Sequence, residues 1–217
     1  MAVGPRRLTP QQIFKAAQQP ALWLISAEAL RDAAEVIIKR EDDYLVPYLR
    51  AHDEAVNVAM GIACAEGEKA GHAEIAAKTP NYPPAQVLYA YAIENALKGL
   101  IVANDPGLIK GDKLDAALKD HDLLELAERA DFTVHLQEEE VLAALSLISV
   151  WAGRYPVALN VRDFTGTPNR NELMDYGSRH TIMRVFFDRA VKALEAKLPK
   201  PLGSRFDAVV VFRPPGT

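Results

Sequence analysis

One stretch near the middle of the chain, residues 84–103 (PAQVLYAYAIENALKGLIVA), constrains the fold most. Read at helical period, one face is apolar and the next combines apolar residues with Glu94 and Lys98. A helix that is apolar around most of its circumference belongs at the centre of a bundle. Glu94 precedes Lys98 by four residues, the favourable order for a pair, and buried charges are normally paired. The spacing therefore predicts a half-buried structural ion pair.

The rest of the chain is dominated by amphipathic helical patterns. Thr9 and Pro10 open a short helix over 10–18, and a second helix runs from Pro20 to about residue 41. Pro47 is expected in a connection, because proline breaks helix interiors. A third helix is expected from about 53 to 75, with an inner side formed by Val56, Ala59, Met60 and Ala63.

Further helices are predicted after the central stretch. A helix or part-helix covers roughly 112–119, and Asp122 with Glu125 opens the helix LLELAERA. Another helix begins near Leu136, and the last ends at Leu198 before two prolines. Almost no strand pattern is present, so the sequence predicts an all-α bundle. The tail FDAVVVF is strand-like by composition and is expected to form an extended C-terminal arm.

We expect a single domain over 1–217, with a bundle core at about 54–198, an N-terminal helical extension over 1–50 and the arm over 199–217. No apolar run is long enough for a membrane span, and no secretory signal opens the chain. The single cysteine, Cys64, fits a reducing, cytoplasmic location. Because it lies among small apolar residues, a buried and inert thiol is expected.

Charge is unevenly distributed along the chain. Residues 1–149 carry 14 Lys+Arg against 23 Asp+Glu, a net charge of −9, whereas residues 150–217 carry 11 against 6, a net charge of +5. Such asymmetry marks either an anionic partner for the basic part or attraction between the two parts within the fold. No dense basic face typical of extensive duplex DNA binding is present.

The segments AIENALKGLIVA and, some twenty residues on, KDHDLLELAERA resemble HEPN domains, a family of four- or five-helix bundles. The resemblance is strongest over residues 85–156, where LSLISVWAGRYP is similar to the helix end of larger members. It implies association with RNA or nucleotides, and dimerisation. One branch of the family cleaves RNA without metal, and another is the non-catalytic partner of a nucleotidyltransferase, typically in a toxin–antitoxin or defence-type pair.

The catalytic branch uses an Arg-x4–6-His motif, and Arg129 and His135 have that spacing here. Arginine would hold a phosphate oxyanion by forked hydrogen bonds, and histidine would move a proton at neutral pH. The family's arginine is usually followed by a polar residue, whereas Ala130 follows Arg129. This departure favours a protein that binds RNA, nucleotide or a partner protein; a metal-independent endoribonuclease and a purely structural or regulatory scaffold are the alternatives.

Other polar residues have two interpretations each. His121 opens a helix either as a capping or loop-packing residue or as a ligand, although no metal-binding spacing surrounds it. Arg154 and Tyr155 could stack a base or cap a helix end. Candidate nucleic-acid contacts near the start of the last helix, or else partners for the acidic part, are Arg179, His180 and Arg184. We predict no metal and no cofactor, and a homodimer.

Overall fold

The computed structural model describes residues 9–66, 71–149 and 176–198, and most of these residues are helical. The α-helices are α1 (Pro10–Ala17), α2 (Pro20–Glu66), α3 (Pro83–Asn104), α4 (Leu123–Arg129), α5 (Leu136–Leu147) and α6 (Tyr176–Lys197). Two short 3-10 turns, Pro106–Leu108 and Ala116–Leu118, lie between α3 and α4. The described residues contain no strand. The fold is all-α, as predicted.

Helix α3 is the centre of the bundle. Fourteen of its 22 residues are buried, and it packs against α2, α4, α5 and α6. Its apolar circumference explains this position, since every face must meet another helix to leave water. The expectation that the stretch at 84–103 organises the fold is confirmed.

Contacts along α3 give the directions of its neighbours. Near the start of α3, the Tyr82 hydroxyl donates to Asp42, and at the other end Gly99 lies against Trp23, so α2 runs antiparallel to α3. The ring of Tyr89 meets that of Phe187 edge-on at 6.2 Å, and further along both helices Gly99 lies against Leu194, so α6 runs parallel to α3. Of these three helices, α2 runs opposite to the other two.

Gly99 permits the closest helix approach in the core. A Cβ at this position would lie 2.6 Å from Leu194 Cδ2 of α6 and 3.0 Å from Trp23 Cβ of α2. Three helices thus converge on one residue without a side chain.

Helix α2 differs from the prediction of two helices separated at Pro47. It is one continuous helix of 47 residues, about 70 Å long. Pro47 removes one backbone donor, leaving the carbonyl of Asp43 without its helical partner. Both residues are exposed, so water can satisfy that carbonyl. The predicted boundary between the extension over 1–50 and the core from 54 falls inside this helix.

Residues 43–66, called here the distal half of α2, extend past the start of α3. The inner side predicted for this segment is wrong: Val56 and Met60 are exposed. The predicted burial of Cys64 is also wrong, since its thiol is exposed. The small apolar residues indicated a packed face, but the other described helices cover α2 only over residues 20–42, called here its proximal part.

After α2 the chain returns along the same helix. The predicted helix up to Ile75 is wrong for residues 71–75, which are not helical. Gly71 lies against the backbone of Ala59, and Lys78 stacks over the ring of Tyr44 at 3.7 Å. The buried carboxylate of Glu41 accepts a hydrogen bond from the Asn81 amide at 3.0 Å and fixes the entry into α3.

The remaining expectations have mixed outcomes. The helical part of 112–119 is confined to Ala116–Leu118, because Asp115 caps a short turn there. The caps at Thr9 and Asp122 are confirmed. The FDAVVVF arm, expected over 199–217, lies outside the described residues. None of the described helices combines the length and apolar character needed to cross a membrane.

Candidate functional site

The most unusual chemistry in the bundle is an ion pair inside α3. Lys98 Nζ lies 2.6 Å from Glu94 Oε1, and the two side chains are only 4% and 10% exposed. One helical turn separates the residues, so the backbone itself sets the geometry. The predicted structural ion pair is confirmed, and it is buried more fully than expected.

His121 adds a third member to this pair, which we call the Glu94 cluster: Glu94, Lys98 and His121. The Nδ1 atom of His121 lies 3.1 Å from the second carboxylate oxygen of Glu94, and the side chain of His121 is 55% exposed. The carboxylate of Asp120 holds the preceding turn by accepting from the amides of His121 and Asp122, at 2.8 and 3.1 Å. The cluster therefore connects a buried charge pair to the surface through one imidazole.

Sequence reasoning missed the contact between His121 and Glu94. The residues are 27 positions apart, and no periodicity connects them. The available signal was indirect, since a buried carboxylate beside a single lysine has acceptor capacity for one more donor. His121 lies in the loop before α4 and packs against Glu94, which agrees with its interpretation as a loop-packing residue.

Helix α4 is placed on the bundle by polar contacts at its first turn. Asp122 accepts from the amides of Leu124 and Glu125, and Ser146 of α5 accepts from the amide of Leu123 at 2.9 Å. Ser146 is buried and donates to the Leu142 carbonyl of its own helix. The segment that follows His121 is thus held by α5 as well as by its own cap.

Arg129 and His135, the predicted catalytic pair, are not in contact. The guanidinium of Arg129 donates to Asp120 at 2.7 Å, to Glu125 at 2.9 Å and to the Ala117 carbonyl at 3.2 Å. His135 is the N-cap residue of α5, and its backbone amide donates to Glu138 at 2.8 Å. Between the two helices Asp131 has a positive φ of 52°.

Glu138, in the first turn of α5, connects this helix to α6. Its buried carboxylate lies 2.5 Å from Arg189 Nη1 of α6, and Arg189 also donates to the Thr133 carbonyl at 2.7 Å. The same guanidinium stacks over the ring of Phe132 at 5.1 Å. One arginine of α6 therefore holds the α4–α5 connection.

The predicted nucleic-acid contacts in α6 face acidic side chains. Arg179 donates to Glu140 at 2.9 Å, and Arg184 forms a bidentate pair with Glu35 at 2.7 and 2.8 Å. This pairing raises the pKa of Arg184 and lowers that of Glu35, with desolvation opposing both shifts. Both arginines are therefore paired with the acidic part of the chain, which was the alternative interpretation.

His180 is buried, and its ring contacts that of Tyr82 at 4.9 Å. Burial is the main cause of its lowered pKa, and the positive charge of Arg184 adds to it. The neutral imidazole is therefore favoured within the bundle. Arg154 and Tyr155 lie outside the described residues.

The bundle also contains an apolar pocket beside the ends of three helices. This pocket of about 250 Å³ lies between the start of α2, the end of α3 and the end of α6, with Val102, Ile109 and Leu198 in its wall and Lys197 beside them. Among the described residues no group of three His, Cys, Asp or Glu side chains could hold a metal ion. The described residues that line the pocket do not bring convergent polar groups together.

Comparison with known proteins adds no assignment: no family model, curated protein or solved structure matches this chain.

Proposed function

We propose that this chain is a HEPN-like helical protein that acts by binding a partner protein and does not cleave RNA. The two segments that carry the resemblance lie in contact, since His121 Nδ1 is 3.1 Å from the carboxylate of Glu94. A nucleotidyltransferase-type protein is the partner that the resemblance implies.

The main reason to propose that the protein does not cleave RNA is the set of contacts made by Arg129. A phosphate would have to displace two carboxylates, Asp120 and Glu125, from a guanidinium that already has three acceptors. His135 caps α5 on the far side of the turn at Asp131. The guanidinium that would hold an oxyanion is thus committed to structural contacts, and it does not contact the histidine that would move a proton.

A partner protein is favoured over RNA because phosphate binding needs accessible cations. Arg179 and Arg184, the described arginines predicted to contact nucleic acid, are engaged by Glu140 and Glu35. Binding to RNA would begin by breaking the bidentate pair of Arg184.

Where a gene beside that of this chain encodes a nucleotidyltransferase, the test mixes the two purified proteins and measures the complex by calorimetry. We expect a dissociation constant in the micromolar range or below. A labelled single-stranded RNA, tested in 50 mM salt with EDTA, should be neither retained nor cut. Absence of the complex would contradict partner binding, and cleavage that is lost in His135→Ala with an unchanged circular dichroism spectrum would identify a ribonuclease instead.

A further inference from the structure

The distal half of α2 is a projecting helix with little support from the bundle. Asp42 already lies at the start of α3, so residues 43–66 continue beyond the helices that bury the proximal part. The described segment that contacts them is the return over 71–82, through Gly71 at Ala59 and Lys78 at Tyr44. Long helices gain most of their stability from packing an apolar face.

Such a face exists and is exposed. Residues 46, 49, 53, 56, 60 and 63 alternate in steps of three and four, the a/d spacing of a coiled-coil seam. We call these six residues the α2 seam. Four are large and apolar, with exposures of 63% for Val46, 50% for Leu49, 42% for Val56 and 61% for Met60. Asp53 interrupts the apolar series, and its side chain is 81% exposed.

We propose that the α2 seam pairs with the α2 seam of a second copy of this chain, in antiparallel orientation. This inference goes beyond the proposed function and does not depend on it. The seam spans about 26 Å, and its four large side chains expose on the order of 400 Å² of apolar surface per copy. The two seams together offer about 800 Å² of apolar surface, which is less than the roughly 1,200–2,000 Å² of stable complexes and fits a weak dimer.

The orientation follows from the position of Asp53. A parallel pair would place the two Asp53 carboxylates opposite each other within the seam, where like charges repel. In the antiparallel pair Asp53 faces Val56 of the second copy, beside Asn57, whose amide can donate to the carboxylate. Leu49 then faces Met60 and Val46 faces Ala63, so in these layers apolar side chains meet apolar side chains.

Antiparallel pairing also sends the two bundles to opposite ends of the interface. Each distal half overlaps only the other distal half, because residue 46 pairs with residue 63 and the bundle begins at Asp42. By the two-fold symmetry the same patch serves both copies, which closes the assembly at a dimer.

The test is the molar mass of the full chain by sedimentation equilibrium from 1 to 100 µM, with reductant present. We expect a dimer with a dissociation constant in the micromolar range, and a monomer for the double variant Leu49→Glu, Met60→Glu with unchanged helical circular dichroism. The matched control is Val36→Glu, because Val36 is 71% exposed on the same helix but lies outside the seam. It should dimerise as the wild type does.

Two further results test the composition and the charge of the seam. Asp53→Leu should lower the dissociation constant at least tenfold, since it replaces a carboxylate within an apolar seam. Each distal half has a net charge of −3, so 500 mM salt should strengthen the dimer several-fold over 50 mM. A wild-type monomer at 100 µM, a dimer that survives the double Glu variant, or a dimer weakened by Asp53→Leu would each overturn the proposal.

Discussion

At the scale of single residues, Lys98 has the largest expected effect on stability. Lys98→Met leaves the buried carboxylate of Glu94 with only His121 as its partner. Removing one member of a buried pair typically costs about 3–5 kcal/mol, since the remaining charge stays desolvated. Urea denaturation followed by circular dichroism measures this loss.

The double variant Glu94→Gln, Lys98→Met is the control for that experiment, because it removes both charges. We expect it to recover at least half of the lost free energy of unfolding. If the single and double variants are equally unstable, the loss reflects packing around Lys98 and not an uncompensated charge.

Gly99 offers a second test at the residue scale. Gly99→Ala gains helix propensity, but its methyl group would lie 2.6 Å from Leu194 and 3.0 Å from Trp23. Overpacking typically costs 1–3 kcal/mol, so we expect a net loss of about 1 kcal/mol in thermal or urea denaturation.

Gly61, inside α2, provides the matched control for Gly99. Nothing lies within 4 Å of a Cβ placed there, so Gly61→Ala should stabilise the protein by up to about 1 kcal/mol. Equal effects at the two positions would mean that helix propensity, and not the approach of three helices, decides the outcome.

The residue scale also marks the limit of sequence reasoning. Glu94 with Lys98 was predictable because four residues make one helical turn, a relation that the chain spells out locally. His121 with Glu94, Arg129 with Asp120 and Arg189 with Glu138 depend on how loops and helices dock. No local pattern carries that information, so the partners of these charges could not be read from the sequence.

At the scale of elements, Arg189 tests how α6 holds the start of α5. Arg189→Met leaves Glu138 buried at 3% side-chain exposure without its cation, so we expect a loss of about 3 kcal/mol. Arg179→Met is the control, since its partner Glu140 is 76% exposed and such surface pairs contribute about 0–1 kcal/mol. Chemical denaturation of both variants measures the difference.

A loss below 1 kcal/mol for Arg189→Met would contradict the role of this contact in fixing α5. Unfolding in two steps would instead identify α6 as a unit separable from the rest of the bundle.

Element boundaries show why helices were easier to predict than their ends. The centres of α3 and α5 follow from apolar periodicity, and Asp122 marks the start of α4 by its side-chain acceptor. Pro47 was expected to end a helix, yet α2 passes through it at a place where both Pro47 and Asp43 are exposed to water. Whether a proline breaks a helix depends on this exposure, which the local pattern does not specify.

At the scale of the whole molecule, acidity should destabilise the bundle in two stages. His180 has a lowered pKa through burial, so the unfolded chain takes up the proton first, near pH 6.5. The free energy of unfolding should therefore fall as the pH drops from 7 to 5, by at most about 1.4 kcal/mol per pH unit for this one proton. Urea denaturation across this range measures it.

The second stage begins below about pH 4.5, the unperturbed pKa of glutamate. Hydrogen bonds from Arg184 lower the pKa of Glu35, and the Asn81 amide does so for Glu41. Both carboxylates stabilise the fold above pH 4.5, and that contribution is lost as the pH falls through their folded-state values. His180→Gln should flatten the first stage and leave the second; an unchanged slope from pH 7 to 5 would contradict the role of His180.

The exposed thiol on α2 has a practical consequence. The chain has one cysteine, and Cys64 lies in solvent near the tip of the projecting helix. The unmutated protein can therefore carry one spin label at a known position, Cys64. Air oxidation can also link two molecules through a Cys64–Cys64 disulfide unless a reductant is kept in the buffer. When the distance between the two spin labels of a dimer is measured, antiparallel helices separate the labels by tens of ångströms, whereas parallel helices bring them together.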